Sequence, residues 1–466
     1  MAHTERKGPP GADLRGWLDL LQSTGRLAMA TPGIDLRFGV AGVANRLDGR
    51  QVSLFPRPGG HPVPVVSGLL SQRAWMAEAA GVAEDDLVAR FQQACRSPLP
   101  SAPITGAPPC QQMVHRSVDL PRLLPLPTHN EHDHGPYITA GLLITRDDAT
   151  GRQNVSIHRL QLSGPDRLGA LLLPRHTFAL FRERERVGAD LDVAIVIGAD
   201  PLTLMASQAA VPLGQDELEI SGALRGSPLP VTRCLDSEIM VPAHAEIVLE
   251  GKLLADVKEP EGPFGEFPQY YGERAERHVI HVTAVTHREN PFYHTIVGGG
   301  LEHLLLGAIP REASFLSELR RTFPCVQAVH LPVGGTCRYH LYVQVDRPAP
   351  GEAKNVILAA LGLHYDVKHV TVVDTDVNPY DPDEVEWAVA TRFQADRDLL
   401  VVSAAQGSKL DPSTANGLGA KMGLDATIPP GAPPMRFTRI AVPGQDSLDI
   451  DALTAPAPPD WRDRAR

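Results

Sequence analysis

The spacing of apolar positions divides the chain into three stretches. In the first hundred residues it is helical over 13–27 and over 72–95, with short alternating runs at 51–55 and 63–66 between them, which predicts a small α/β unit. A proline-rich connection at 98–109 follows. From about residue 114 to 297 the period falls to two, over 137–145, 155–162, 192–197, 245–249, 278–286 and 292–297, with a helical stretch at 175–186 among them. Many strands with few helices predict a barrel or folded sheet. After Gly298-Gly299-Gly300 the pattern is helical through Phe323. Strands at 339–345 and 370–373 then alternate with helices at 353–361 and 384–391, the last opened by Asp381-Pro382-Asp383. The expected fold class is α/β in several domains: an α/β domain over 1–112, a β-rich domain over 113–300, a linker helix over 301–324, and a second α/β domain over 325–466 that ends in an Ala-Pro-rich extended tail.

Composition agrees with that division and narrows the function. A chain of 466 residues exceeds what one core organises, and 43% hydrophobic with 21% charged residues is the balance of a globular protein. No run of eighteen apolar residues occurs, and residues 1–8 lack the apolar core of a signal peptide, so a cytoplasmic protein without a membrane partner is expected. The five cysteines have no CxxC spacing, which argues against a thiolate zinc site and against a disulfide framework. The net charge of −11, without a basic stripe, excludes nucleic acid as the main partner.

The candidate chemistry starts at Glu261-Gly-Pro-Phe-Gly-Glu266. Gly262 and Pro263 set a turn and Gly265 frees the backbone, so that two carboxylates can face one cavity. In a dry pocket they cannot easily both ionise, and one keeps a proton near neutral pH. On the strand Asn154-Val-Ser-Ile-His-Arg159, alternation puts Asn154, Ser156 and His158 on one face and Arg159 with Val155 and Ile157 on the other. An arginine on an apolar face needs an anion, either Glu261 and Glu266 or another structural carboxylate. Asn154, His176 and Glu217 form a mixed oxygen and nitrogen set suited to manganese or magnesium, with Glu219 competing with Glu217. His129-Asn-Glu-His-Asp-His134 is crowded on one extended loop, which favours a solvated or substrate-side loop over a metal site. Residues 417–427, with one lysine at Lys421, read as a Gly-rich loop able to hold a phosphate but lacking a P-loop pattern.

In this order the pieces resemble the UbiD-type family of decarboxylases that use prenylated flavin mononucleotide. The resemblance rests on Asn154 to Arg159, Arg175-His176, Ala206-Ser207, Glu217, the Glu261–Glu266 hexapeptide and the Gly-Leu-Gly-Ala-Lys421 segment, with Pro-Leu-Pro-Thr-His129 and Gly-Pro-Tyr137-Ile-Thr before them. It implies a central split β-barrel of flavin-reductase-like type, a C-terminal oligomerisation domain, a homodimer or higher assembly, and a prenylated-flavin synthase as the maturation partner. It also implies manganese (or magnesium) on Asn154, His176 and Glu217, and potassium on backbone carbonyls around Ala206, Ser207 and Ala209. The flavin would lie against Ser156, Ile157, His158, Arg159, Arg175, His176, Ser207 and Gln208, with Lys421 reaching its phosphate. Arg159, Glu261 and Glu266 would be the catalytic network for reversible non-oxidative decarboxylation of a small unsaturated acid. The stretch Gly300-Leu-Glu-His303 to Arg311 looks closer to members acting on furan or pyrrole carboxylates, with His303 and Arg311 on the substrate, Arg311 against a second carboxylate. A non-aromatic unsaturated acid is the alternative, and a flavin reductase or a non-enzymatic flavin carrier would be the readings of another class.

Overall fold

The computed structural model describes residues 9–460. Residues 1–8, read above as lacking a signal-peptide core, and the end of the tail at 461–466 lie outside the described residues.

The first domain carries α1 (Leu14–Ser23), β1 (Leu27–Met29), α2 (Gly39–Leu47), β2 (Val52–Phe55), β3 (Val65–Ser67), α3 (Arg73–Ala80) and α4 (Leu87–Arg96). Asp13 caps α1 by accepting from the Gly16 N–H, and Leu14, Trp17, Leu18 and Leu21 form its buried stripe. The helix stops before its predicted end because Gly25 takes a left-handed conformation and Leu27 is drawn into parallel pairing with Val52. The proline-rich connection holds one short strand, β4 (Ala102–Pro103), which pairs with a later strand rather than running free.

The middle of the chain contains β5 (Met113–His115), α5 (Leu120–Leu123), β6 (Tyr137–Arg146), β7 (Gln153–Leu162), β8 (Arg167–Ala170), α6 (His176–Glu185), β9 (Leu191–Ile197), α7 (Pro201–Ala206) and α8 (Glu217–Arg225). It continues with β10 (Pro230–Arg233), β11 (Met240–Pro242), β12 (Ile247–Glu261), β13 (Phe264–Gly265), β14 (Tyr271–Gly272), β15 (Ala275–His287) and β16 (Tyr293–His294). Strands in the order β12-β9-β6-β7-β8-β15 form a six-stranded antiparallel sheet, which the β12–β15 pairing closes into a barrel, with β5 added outside on β15. Closure removes the sheet edges of these strands. Two expectations change here. The strand predicted at 245–249 runs through Glu261, because β12 pairs with both β9 and β15 and its polar second half is held by that ladder, with register shifts, rather than by alternation. The strand predicted at 292–297 shrinks to β16 and joins the first domain's sheet beside β3.

The helix α9 (Leu301–Thr322) leads to β17 (Val326–His330), β18 (His340–Val345), α10 (Glu352–Leu363), β19 (His369–Asp374), α11 (Pro382–Arg392), α12 (Ala395–Asp398), β20 (Leu399–Gln406) and β21 (Leu418–Asp425). The sheet order is β17-β18-β19-β21-β20, with β18, β19 and β21 parallel. The segment expected as a Gly-rich loop is therefore strand β21. Its Gly423 lets α10 lie close, since a Cβ there would overlap Ile357. One apolar cluster runs from Trp17 through Leu305 and Ile309 of α9 to Val372, and a second, with Leu143, Ile195, Leu249 and Ile280, belongs to the barrel. Among the described residues no helix is long and apolar enough to cross a membrane, and all five cysteines are unpaired thiols.

Candidate active site

Three elements of the barrel meet at one guanidinium. Glu261 ends β12 and is fully buried, Glu266 lies just past the short β13, and Arg159 comes from β7. Arg159 Nη2 is 3.1 Å from Glu261 Oε2, Nη1 pairs with Glu266 Oε1, and the guanidinium lies 5.1 Å from the Phe264 ring centroid. Glu261 accepts a second hydrogen bond on Oε1, from the Tyr137 hydroxyl of β6 at 3.1 Å. Burial raises the Glu266 pKa most, Arg159 opposes that, and the Glu261 charge adds to the rise. One acid is thus saturated with donors and the other is inclined to keep its proton.

The His129–His134 stretch supports this turn. Asp133 accepts from Gly265 N at 2.8 Å and from Asn130 N at 2.8 Å, His134 N donates to Pro263 O at 3.0 Å, and His129 is buried against Thr295. Among the described residues no three His, Cys, Asp or Glu side chains converge as a metal group, here or elsewhere. Sequence reading misses the supporting role because the partners lie more than a hundred residues away. Beside Glu266 opens a cavity of about 310 Å³, lined by Asn45 and Asp48 of the first domain together with Asn130, Gln269, Tyr270 and Tyr271.

A second group lies further along the same strand. Asn154 Oδ1 is 3.2 Å from His176 Nδ1, and the Asn154 amide donates to Thr177. Glu217 accepts from Val155 N at 2.7 Å. It is buried, and desolvation pushes its pKa up to about 8. Glu219 instead pairs with Arg152 at 3.1 Å. Among the described residues the buried Glu217 carboxylate has no cationic partner, and together with the amide oxygen and imidazole that meet at Asn154 and His176 its chemistry fits a divalent cation. At the end of α7 the Ala206 carbonyl accepts from Ala209 N at 2.9 Å and the Ser207 carbonyl from Gln208 Nε2 at 3.2 Å. Each carbonyl keeps a lone pair that fits a monovalent cation. On β7, Ser156 bonds His158 at 2.9 Å, and Ile157 packs against the main apolar cluster.

The third group is cationic. Arg175 donates to the Tyr365 hydroxyl at 3.1 Å, and Lys421 donates to the carbonyls of Leu361 at 2.9 Å and His364 at 3.3 Å. Arg311 donates to Gly307 O at 2.7 Å. It is not paired with its neighbour Glu312, which is occupied by Arg73 and His330. Sequence reading missed Arg338. This buried side chain donates to the carbonyls of Leu304 and Cys337 and lies 5.3 Å from the Phe267 centroid. It fits only because residue 307 is glycine, since a Cβ there would overlap the guanidinium. Among the described residues none of these four cations is ion-paired to a carboxylate, and Asp366 is the acid acting on Arg311, Arg338 and Lys421. Desolvation and Arg338 push the Arg311 pKa down to about 9. Desolvation, then both arginines, push His303 down to about 3, so its imidazole is neutral. His303 Nδ1 accepts from Gly299 N at 3.2 Å.

Three family models cover this chain. They are described as the N-terminal, Rift-related and C-terminal domains of 3-octaprenyl-4-hydroxybenzoate carboxy-lyase (UbiD) and match residues 18–95, 103–301 and 304–426. The anhydromevalonate phosphate decarboxylase of Methanothermobacter thermautotrophicus is 39% identical over 79% of this chain and 86% of its own length. The solved structure of the UbiD-class enzyme HmfF from Pelotomaculum thermopropionicum with FMN is 48% identical, with a TM-score of 0.92, over 95% of this chain and 100% of that one. An evolved dimeric form of the same enzyme, in complex with prenylated FMN, is 45% identical with a TM-score of 0.88 over 95% of this chain and 100% of that one.

Proposed function

We propose, for a chain that belongs to the UbiD family and is a prenylated-FMN-dependent carboxy-lyase, that its substrate is a small conjugated or heteroaromatic acid with a second anionic group distant from the carboxylate it loses. The observation that carries this reading is the charge balance on one side of the site. Arg311, Arg338 and Lys421 gather around Asp366, with the exposed Arg175 close to both arginines, and buried or half-buried cations need anions to offset their desolvation. Arg175 of the barrel domain, which reaches Tyr365, and Lys421 of the C-terminal domain suit the cofactor phosphate. That leaves Arg311 and Arg338, with neutral His303 as a hydrogen-bond partner, for a second carboxylate or a phosphate on the substrate. The relatives named for anhydromevalonate phosphate favour a phosphate and a non-aromatic skeleton as the second form of this reading.

Decarboxylation at an unsaturated carbon leaves an electron pair that no ordinary side chain can take up, and prenylated FMN supplies the sink when bound. The chain's own residues do the rest. Arg159 orients the scissile carboxylate, Glu261 fixes Arg159, and Glu266 delivers a proton to the carbon that has lost CO2. Water then restores the Glu266 proton through the adjoining cavity. Asn154, His176 and Glu217 would hold a manganese or magnesium ion, and the carbonyls of Ala206, Ser207 and Ala209 a potassium ion, both to anchor the cofactor phosphate.

Protein co-produced with a prenylated-flavin synthase tests the reading. CO2 release is compared between furan-2-carboxylate and furan-2,5-dicarboxylate, and between an alkenoic acid and its phosphorylated counterpart. The doubly anionic member of at least one pair is expected to have the higher kcat/KM; preference for the singly anionic member of both would overturn it.

A further inference from the structure

Gln161 cannot be turned around in its site. Its amide nitrogen donates to His134 O at 2.7 Å, so its oxygen faces the other way, where it accepts from Gly262 N at 2.9 Å. That fixed oxygen lies 3.0 Å from the Tyr137 hydroxyl, and Glu261 Oε1 lies 3.1 Å from it on the other side. The phenol has one proton and two acceptors at nearly equal distance. Tyr137 is fully buried, its ring 4.5 Å from that of Phe264, and burial followed by the Glu261 charge raises its pKa, so the proton stays on the phenol.

The groups facing Glu261 can be named from every side. Arg159 comes from β7, Tyr137 from β6, and Glu266 and Asp133 from the turn and the loop that supports it. The remaining neighbours, Gly169 on β8 and Ala275 on β15, carry no charge. Glu261 and Glu266 therefore share the one guanidinium of Arg159, and a proton held by one of the two leaves the other the full ion pair. Which one holds it depends on donors. An ionised Glu261 attracts the Tyr137 proton. A protonated Glu261 does not need it, and the hydroxyl can turn to Gln161.

We propose that Tyr137 is a positioning residue that, by giving its single hydrogen bond to Glu261 in preference to Gln161, keeps Glu261 the anion and Glu266 the protonated acid. This rests on the assignment of Glu266 as proton donor. The active state is Glu261 ionised with Glu266 protonated. Losing the phenol hydroxyl destabilises the Glu261 anion and leaves Glu266's own deprotonation, with Glu261 ionised, untouched. The pH at which Glu261 takes up a proton therefore rises, the plateau of kcat falls as part of the shared proton moves to Glu261, and the alkaline limb does not move down.

The test is an infrared pH titration of carboxyl bands in the full-length protein, with the Glu261 band identified by its loss in Glu261→Gln. In Tyr137→Phe, which keeps the ring, the Glu261 midpoint is expected to rise by about one pH unit, the weight of a hydrogen bond to a charged group. The acid limb of kcat should follow it while KM stays nearly constant. An unchanged midpoint would overturn the proposal. Site-specific 3-fluorotyrosine at position 137, a stronger donor, should move the midpoint the opposite way, which covers the case of a poorly folding phenylalanine variant. The infrared shift needs no turnover, so a shifted midpoint in a protein that releases no CO2 from any probe acid would count against the decarboxylase chemistry and not against Tyr137.

Discussion

Glu266 is inclined to hold its proton because it is nearly buried and lies beside the Glu261 charge, while Arg159 and, more weakly, the Phe267 N–H pull the other way. Activity that needs this proton is present below the raised Glu266 pKa and is lost as pH rises through it. Glu266→Gln keeps the hydrogen-bonding shape but cannot give a proton to carbon. It is expected to retain flavin absorbance while turnover falls by roughly 10²–10⁴-fold, the usual weight of a general acid; turnover at the wild-type rate would remove Glu266 from this role. At this scale the sequence shows residue types and spacing. Arg159 on an apolar strand face needed an anion, and two acids around a Gly-Pro turn were there to supply it. Tyr137, Asp133 and Arg338 were not legible, since each matters through partners brought close only by the fold, as Asp133 is to Gly265 and Arg338 to Gly307.

Among the elements, α9 was legible and β12 was not. Helical period and the opening glycines define α9, whereas the second half of β12 is polar and is held in the barrel by pairing with β15. The fold in turn explains one glycine inside α9. Alanine favours a helix interior over glycine by about 1 kcal/mol, so Gly307→Ala does not weaken the helix as a helix. It forces the Arg338 guanidinium out of its place. KM for furan-2,5-dicarboxylate, or for the phosphorylated acid if that is the substrate, is expected to rise about tenfold, the weight of one charged hydrogen bond, with KM for the singly anionic partner little changed. Equal effects on both would mean that Arg338 does not meet the second anion.

Across the whole molecule, one buried carboxylate on the linker helix ties the first domain to the last. Glu312 of α9 accepts from Arg73 of the first domain at 2.6 Å, and from His330 at 2.8 Å and Leu331 N at 3.0 Å in the last. Desolvation works against its ionisation, but His330 and Arg73 prevail and hold its pKa below the ordinary value. Its contribution is therefore complete above the ordinary carboxylate range and lost as pH falls through the lowered pKa. Removing one partner of a buried pair costs about 3–5 kcal/mol, so Glu312→Ala should melt well below the wild type at neutral pH, and the gap should narrow in acid. A melting curve that superimposes on the wild type at both pH values would show that the domains are held together without it.

The same helix places Glu302, bonded to the backbone of Gly68 and Leu70, next to His303, and Arg311 next to Glu312. Residues proposed to meet the substrate thus alternate with residues that join the domains. Anyone evolving this protein toward new acids through α9 will find that gains in substrate range arrive together with losses in cohesion. Arg338, which comes from outside that helix, is itself such a joint, since it bonds the Leu304 carbonyl of α9 and packs on Phe267 of the barrel, so a change there carries the same cost.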